Sequence, residues 1–114
     1  QAQFLAPLKQ ASKDLQAATM YFMETGMKNP NDALAGSYDY MHLFGHTALG
    51  FMWARMAKVA KTALQNGTDD AAFYETKVTT GHYYMAKQLP STGALLAKIT
   101  AGSSPVMTLS ADQF

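Results

Sequence analysis

The chain has 114 residues, 48% apolar and 15% charged, with no cysteine and a formal charge of +1. That length suits one domain with one hydrophobic core, and the lack of cysteine excludes a disulfide scaffold, a Cys-based zinc site and a thiol nucleophile. Eight lysines and one arginine, scattered among eight acids, form no basic stripe able to neutralise phosphates, which argues against nucleic acid as a partner.

Pro7, Leu8, Ala11, Leu15, Ala18 and Phe22 recur at three- and four-residue intervals and predict a first helix from Pro7 to Gly26, with proline at a first helical position and glycine at the terminus. The run Lys28-Asn29-Pro30-Asn31-Asp32 reads as a turn with a capping residue. Beyond it Leu34, Tyr38, Met41, Gly45, Ala48, Met52, Met56, Val59 and Ala63 mark one helical face, read as the core stripe, as far as Asn66-Gly67, so the second helix is long, about 50 Å at 1.5 Å per residue. Thr68-Asp69-Asp70 caps a third helix, with Phe73, Lys77, Thr80, Gly81, Tyr84 and Gln88 on one face and Tyr74, Val78, Met85 and Leu89 beside it. Pro90 breaks or kinks it. Helical spacing resumes from Ser91 to Ala101 with Leu95, Leu96 and Ile99, and Ser110 to Gln113 has the spacing of a capping box. No alternating strand pattern or internal repeat occurs. Long amphipathic helices on short turns predict an all-α, up-and-down antiparallel bundle of three to four helices in a single domain over residues 1–114.

The longest stretches without a formal charge, Tyr40 to Ala54 and Ile99 to Ala111, fall short of the ~20 apolar residues of a membrane-spanning helix, so a cytoplasmic location is expected. Gln1 stands where an initiating methionine would, and no basic-then-apolar leader follows, which suggests an excised or processed piece of a longer chain.

Three features carry chemistry. His42 and His46 have the four-residue spacing of a helical metal pair, with Asp39 one turn earlier. His82 is the sole further histidine. If the second and third helices fold back at Gly67, residues whose numbers add to about 135 face each other, which places His82 ~10 Å from the pair. The stripe Asp39, His42, His46, Lys58, Lys61 and Gln65 therefore reads as a polar flank ahead of a metal site. Arg55 reads first as a structural ion pair with Glu75 or Asp39, and second as an anion clamp or inter-domain anchor. Tyr40, Leu43, Phe44, Phe51 and Trp53 add apolar side chains outside the main stripe, making this helix apolar nearly all round and hence buried on more than one side. Gly36, Gly45 and Gly50 each cost about 1 kcal/mol relative to alanine, tolerable where another backbone packs close.

The stretch from Ala33 to Ala57, containing Tyr-Asp-Tyr, Leu-Phe-Gly and Trp-Ala-Arg-Met in order, resembles the helical domain at the extreme C-terminus of one branch of bacterial acyl-CoA dehydrogenases, which includes enzymes acting on methylmercaptopropionyl-CoA and related acyl thioesters. Asp70 to Lys77, Tyr83 to Pro90 and Leu109 to Phe114 extend the resemblance, which covers about Asp14 to Phe114. It implies a non-catalytic domain of an FAD-dependent enzyme that oxidises acyl-CoA to enoyl-CoA, with the flavin and the glutamate base held by a core upstream. No catalytic, cofactor or metal residue transfers to this chain, and Glu24 and Glu75 remain ordinary surface or ion-pair groups. The implied partners are the dehydrogenase core and further copies in a homo-oligomer, with Tyr40, Phe44, Phe51, Trp53 and Arg55 as interface candidates. Two alternatives stay open: a module holding the nucleotide end of CoA through Arg55, Lys58 or Lys61, and a histidine-based metal bundle.

Overall fold

Helical periodicity governs every part of the chain that the computed structural model describes, residues 2–114. In chain order the elements are α1 (Ala2–Thr25), α2 (Pro30–Asn66), α3 (Ala71–Tyr83), a π-helical turn (Tyr84–Gln88), α4 (Ser91–Thr100), the one-turn α5 (Ser104–Met107) and a 3₁₀ turn (Ala111–Gln113). The fold is an all-α bundle, and no strand occurs among the described residues. Gln1, the first residue of the expected domain, lies outside them.

Several boundaries follow the sequence signals, whereas the cap of α3 and the start of α1 do not. Asn29 caps α2, its side chain accepting the Asn31 N–H at 3.2 Å, and Pro30 occupies the first turn, where its missing N–H costs nothing. Gly67, at φ 82°, closes α2 in the left-handed region that glycine tolerates. Ser110 and Gln113 form one arm of the expected capping box, on a 3₁₀ turn: the Ser110 N–H donates to Gln113 Oε1 at 2.8 Å, while the Gln113 N–H donates to the Ser110 carbonyl at 3.0 Å. At the start of α3 Asp70 makes no side-chain cap; its N–H instead donates to Thr68 Oγ1 at 3.1 Å. Helix α1, by contrast, begins before Pro7 and contains it. The proline removes one hydrogen bond from the second turn. Phe4, 3% exposed, offsets that loss by packing in the core, with its ring against Gly81 and His82.

The third column of the bundle is one helix in two parts. Pro90 has no N–H to donate, and its ring would strike the carbonyl four residues back. The chain responds with a π-turn in which the Leu89 N–H reaches the Tyr84 carbonyl, five residues back, at 2.9 Å. Both parts run antiparallel to α2 in the expected register, since Gly36 meets Ile99, Asp32 meets Ser103, Gly50 meets Leu89 and Trp53 stacks on Tyr84.

The face by which α2 enters the bundle is the opposite of the expected one. Its buried residues are Gly36, Leu43, Thr47, Gly50, Ala57 and Ala60. The expected core stripe of Leu34, Tyr38, Met41, Met52, Met56 and Val59 is exposed, from 37% at Met56 to 69% at Leu34. Small side chains on the inner seam let α1 and α3/α4 both close onto it. A Cβ on Gly36 would meet the Phe22 ring at 3.2 Å and Ile99 Cγ2 at 3.3 Å, and one on Gly50 would meet Leu8 and Leu89 methyls at 3.2 Å. The close neighbours are thus side chains and not backbone. Gly45 has nothing within 4 Å of a built Cβ, so the chain's own packing does not explain it.

Two apolar clusters result. Phe4, Leu8, Ala11, Ala57, Tyr84, Met85 and Leu89 fill one half of the bundle, and Ala18, Leu43, Leu95 and Ile99 the other. Between them on α1 and α4 lies a buried polar pin. Thr92 Oγ1 donates to Asp14 Oδ2 at 2.8 Å, and Gln10 Nε2 donates to Oδ1 at 3.1 Å. A second pin closes one end of the bundle, where the Ser103 N–H and hydroxyl both donate to Asp32 Oδ1 at 2.8 Å. Those bonds, hydroxyl first and backbone second, hold the Asp32 carboxyl below its ordinary value of 3.8 despite some desolvation. Gly102, at φ 76°, lets the chain turn there beside Asp32 and the Tyr21 hydroxyl.

Gly50→Val overfills the inner seam and is expected to cost about 1–3 kcal/mol in urea unfolding. Gly93→Ala, where a built Cβ meets nothing within 4 Å, should gain up to about 1 kcal/mol. For Asp32 the depressed folded-state pKa means stabilisation present above 3.8 and lost as the pH falls through the lower, folded value. The melting-temperature deficit of Asp32→Asn is therefore largest at neutral pH and shrinks in acid below the ordinary carboxylate range.

Candidate interaction surface

Burying the small-residue seam turns the bulk of α2 outward. Leu34, Tyr38, Met41, Gly45, Ala48, Met52, Met56 and Val59 follow one another at three- and four-residue steps, placing them on a single stripe about 37 Å long at 1.5 Å per residue. None is charged. The outer face of α1, in contrast, alternates exposed Leu5, Met20 and Met23 with exposed Lys9, Lys13 and Glu24. An uncharged apolar row of this length is poorly solvated, which makes it the candidate surface of this chain.

At one end the stripe deepens into a groove of about 370 Å³ between α2 and α3, lined by Met52, Arg55, Met56, Val59, Ala60, Phe73, Tyr74 and Lys77. The Lys77 ammonium lies 5.4 Å from the Phe73 ring centroid and 6.0 Å from that of Trp53, so both cations border the groove with their stems along apolar surface. Arg55 does not find the acids expected for it. Asp39 lines a different groove with Tyr38, His42, His46 and Lys98, and Glu75 is exposed outside the lining of the first.

The other interface candidates divide. Phe44 and Phe51 are about half exposed and Arg55 is exposed. Tyr40 and Trp53 are engaged within the chain: the Tyr40 hydroxyl lies 2.8 Å from Thr19 Oγ1 with its ring edge-on to Phe22, and Trp53 stacks on Tyr84 in the first cluster. Leu34, Met41, Met52, Met56 and Val59 also face outward, although their periodicity alone points to the core. Their signal was the glycine–alanine seam on the opposite face, which only tight helix packing explains.

The histidines are not gathered. His82 packs on Phe4 with the rings tilted by 37° and 4.6 Å between centroids, while His46 meets Tyr84. The Tyr84 hydroxyl donates to the His46 carbonyl at 2.8 Å, which uses its one proton, so His46 Nδ1, 3.3 Å away, is the donor in that contact. No group of three metal-ligating side chains occurs among the described residues. Burial pushes the Tyr84 phenol up from 10.0. The cations proposed for a CoA nucleotide follow one another at three-residue steps along α2. Arg55 borders the groove, the Lys61 ammonium sits 5.2 Å from the Phe4 centroid, and Lys58 is exposed.

A sequence profile described as acetyl-CoA dehydrogenase C-terminal like matches residues 1–110. The chain belongs to that family. The match takes in the first half of α1, which the motif-based resemblance left out, and stops before the last four residues. Among curated proteins the chain is similar to 3-methylmercaptopropionyl-CoA dehydrogenase of Ruegeria pomeroyi, at 28% identity over 103 residues. That alignment covers 90% of this chain and 17% of the relative, so the family member described here spans a minor part of the relative's length. No helix among the described residues is long and apolar enough to cross a membrane.

In this family member Tyr84→Phe removes the bond to the His46 carbonyl, and the expected cost is about 0.5–1.5 kcal/mol in chemical denaturation. Because the folded-state phenol titrates above 10.0, its contribution persists below that pH and is lost as the pH rises through the folded value. Alkaline spectrophotometric titration should show one tyrosine ionising after the exposed ones.

Proposed function

We propose that the chain is the C-terminal helical domain of an FAD-dependent acyl-CoA dehydrogenase, supplying no catalytic group and serving to pack on the dehydrogenase core or a neighbouring subunit. The observation that carries this reading is the uncharged apolar stripe along the outer face of α2, in a chain whose family is defined by dehydrogenase C-terminal regions. A domain that served by itself would gain nothing from holding Leu34, Tyr38, Met41 and Val59 between 59% and 69% exposed. The parent reaction is the oxidation of an acyl-CoA to the enoyl-CoA, with a flavin as hydride acceptor.

The residues here do not fit a flavin. Its pyrophosphate needs converging backbone N–H groups or a glycine-rich helix start, whereas the start of α2 is already capped by Asn29 and the Arg55–Lys77 groove is otherwise apolar. Those features support assigning the cofactor to another part of the enzyme.

The test is direct titration of the isolated chain with FAD, CoA and an acyl-CoA. Expected are no saturable heat or fluorescence change for any of the three and no turnover with an artificial electron acceptor. Stoichiometric flavin binding or turnover overturns the non-catalytic reading, and saturable CoA binding that weakens in Arg55→Ala favours the nucleotide-holding alternative.

A further inference from the structure

The geometry points to the groove between α2 and α3 as the seat of an acidic amphipathic helix from a partner protein or domain, its apolar side chains on Met52, Met56, Val59 and Phe73 and its carboxylates on Arg55 and Lys77. This rests on the reading of the chain as a packing domain and names the chemistry of what packs there.

The walls of the groove decide the backbone of its occupant. Both walls are α-helices, whose backbone groups are already bonded along the helix, and the side chains between Arg55 and Lys77 are almost wholly apolar. An extended segment pressed there would leave its N–H and C=O groups without partners, each at a cost comparable to a lost hydrogen bond. A helix satisfies those groups internally and presents only side chains. The lined stretch of α2, from Met52 to Val59, is about 10 Å long at 1.5 Å per residue. That is close to two helical turns, the length needed to receive anchors at i, i+3 or i+4, and i+7 of a helix laid in a groove. Two of the wall residues are methionines, whose flexible thioethers adapt to such anchors.

Covering the groove also decides the charge of what covers it. No carboxylate lines it. Arg55 cannot shed its proton, and burying a cation without a counter-charge is strongly unfavourable. Lys77 is held at its wall by the Phe73 and Trp53 rings, with its ammonium 5.4 and 6.0 Å from their centroids, a contact that attracts the cation without neutralising it. One cation stands on α2 and the other on α3, so a helix seated between them needs acids along both flanks of its apolar face.

The test is selection, on the intact chain, from a displayed library of helical peptides with leucine at three- and four-residue intervals and the positions flanking that face randomised among Glu, Gln and Lys. Expected is several-fold enrichment of Glu over Lys on the unmodified chain and the reverse on the double variant Arg55→Glu/Lys77→Glu. Arg55 is exposed and Lys77 half-buried at the groove wall, so the double variant should keep its helical circular dichroism. The best Glu peptide should gain helical circular dichroism on binding, bind about tenfold or more weakly to Arg55→Ala, and weaken further as salt is raised. No enrichment, the same peptides retained by both chains, Gln peptides binding as tightly as Glu peptides, or full affinity in a proline-interrupted peptide overturns the proposal. So does a chain that dimerises by itself in sedimentation equilibrium and loses the dimer in Arg55→Glu, which assigns the groove to a second copy. None of these outcomes alters the titrations with FAD, CoA and acyl-CoA, so the acidic helix can fail while the packing function stands.

Discussion

The small side chains on the inner seam of α2 set the rest of the structure. Helix axes pack 8–10 Å apart depending on the residues between them, and Gly36, Gly50, Ala57 and Ala60 favour the short end of that range. Leu43 and Thr47 are the larger members, and Thr47 satisfies its hydroxyl on the Leu43 carbonyl at 2.9 Å within its own helix. With so little bulk on the seam, the volume of the core comes from the partners: Phe4 and Leu8 from α1, and Tyr84, Met85, Leu89, Leu95 and Ile99 from the third column. The arrangement leaves α2 as the element against which everything else is placed.

The bundle is correspondingly long and thin. Its extents are 66 × 29 × 15 Å and its radius of gyration 18.7 Å, against about 13 Å for a compact domain of this length. Two separate apolar clusters with a buried Asp14–Thr92 pin between them replace a central core. A slab this thin cannot enclose a small-molecule site, and its grooves are surface clefts. This geometry is consistent with a part that fits against other protein instead of surrounding a substrate.

The helices and their order were readable from spacing and punctuation: Asn29-Pro30, Gly67, Pro90 and Gly102 all act where their backbone preferences require. The antiparallel register of α2 with the third column was readable too, because a short turn at Gly67 leaves one alignment. What failed was the choice of face. A stripe of methionines, leucine, tyrosine and valine carries more apolar mass than one of glycine and alanine, so periodicity weighted by size selects the wrong side whenever close packing, not bulk, is what the core needs. The same weighting hid the exposed apolar stripe, which is the side of α2 that this chain leaves uncovered. The Pro7 boundary failed for a related reason: the burial of Phe4 outweighs the loss of one hydrogen bond, and local propensity cannot register a contact with Gly81 that lies 77 residues away in the chain. The two polar pins, Asp14–Thr92 and Asp32–Ser103, are likewise contacts across the sequence with no local signature.

The π-turn at Tyr84–Gln88 also sets the phase of the third column. In an unbroken α-helix two residues five apart point about 140° from each other, yet Tyr84 and Leu89 are both buried in one cluster. The widened turn absorbs one residue locally and returns the helix to phase before α4 begins. The segment before it stays registered on Trp53 and the segment after it on Gly36 and Asp32, so one widened turn lets both halves of the column present their large side chains to the same helix.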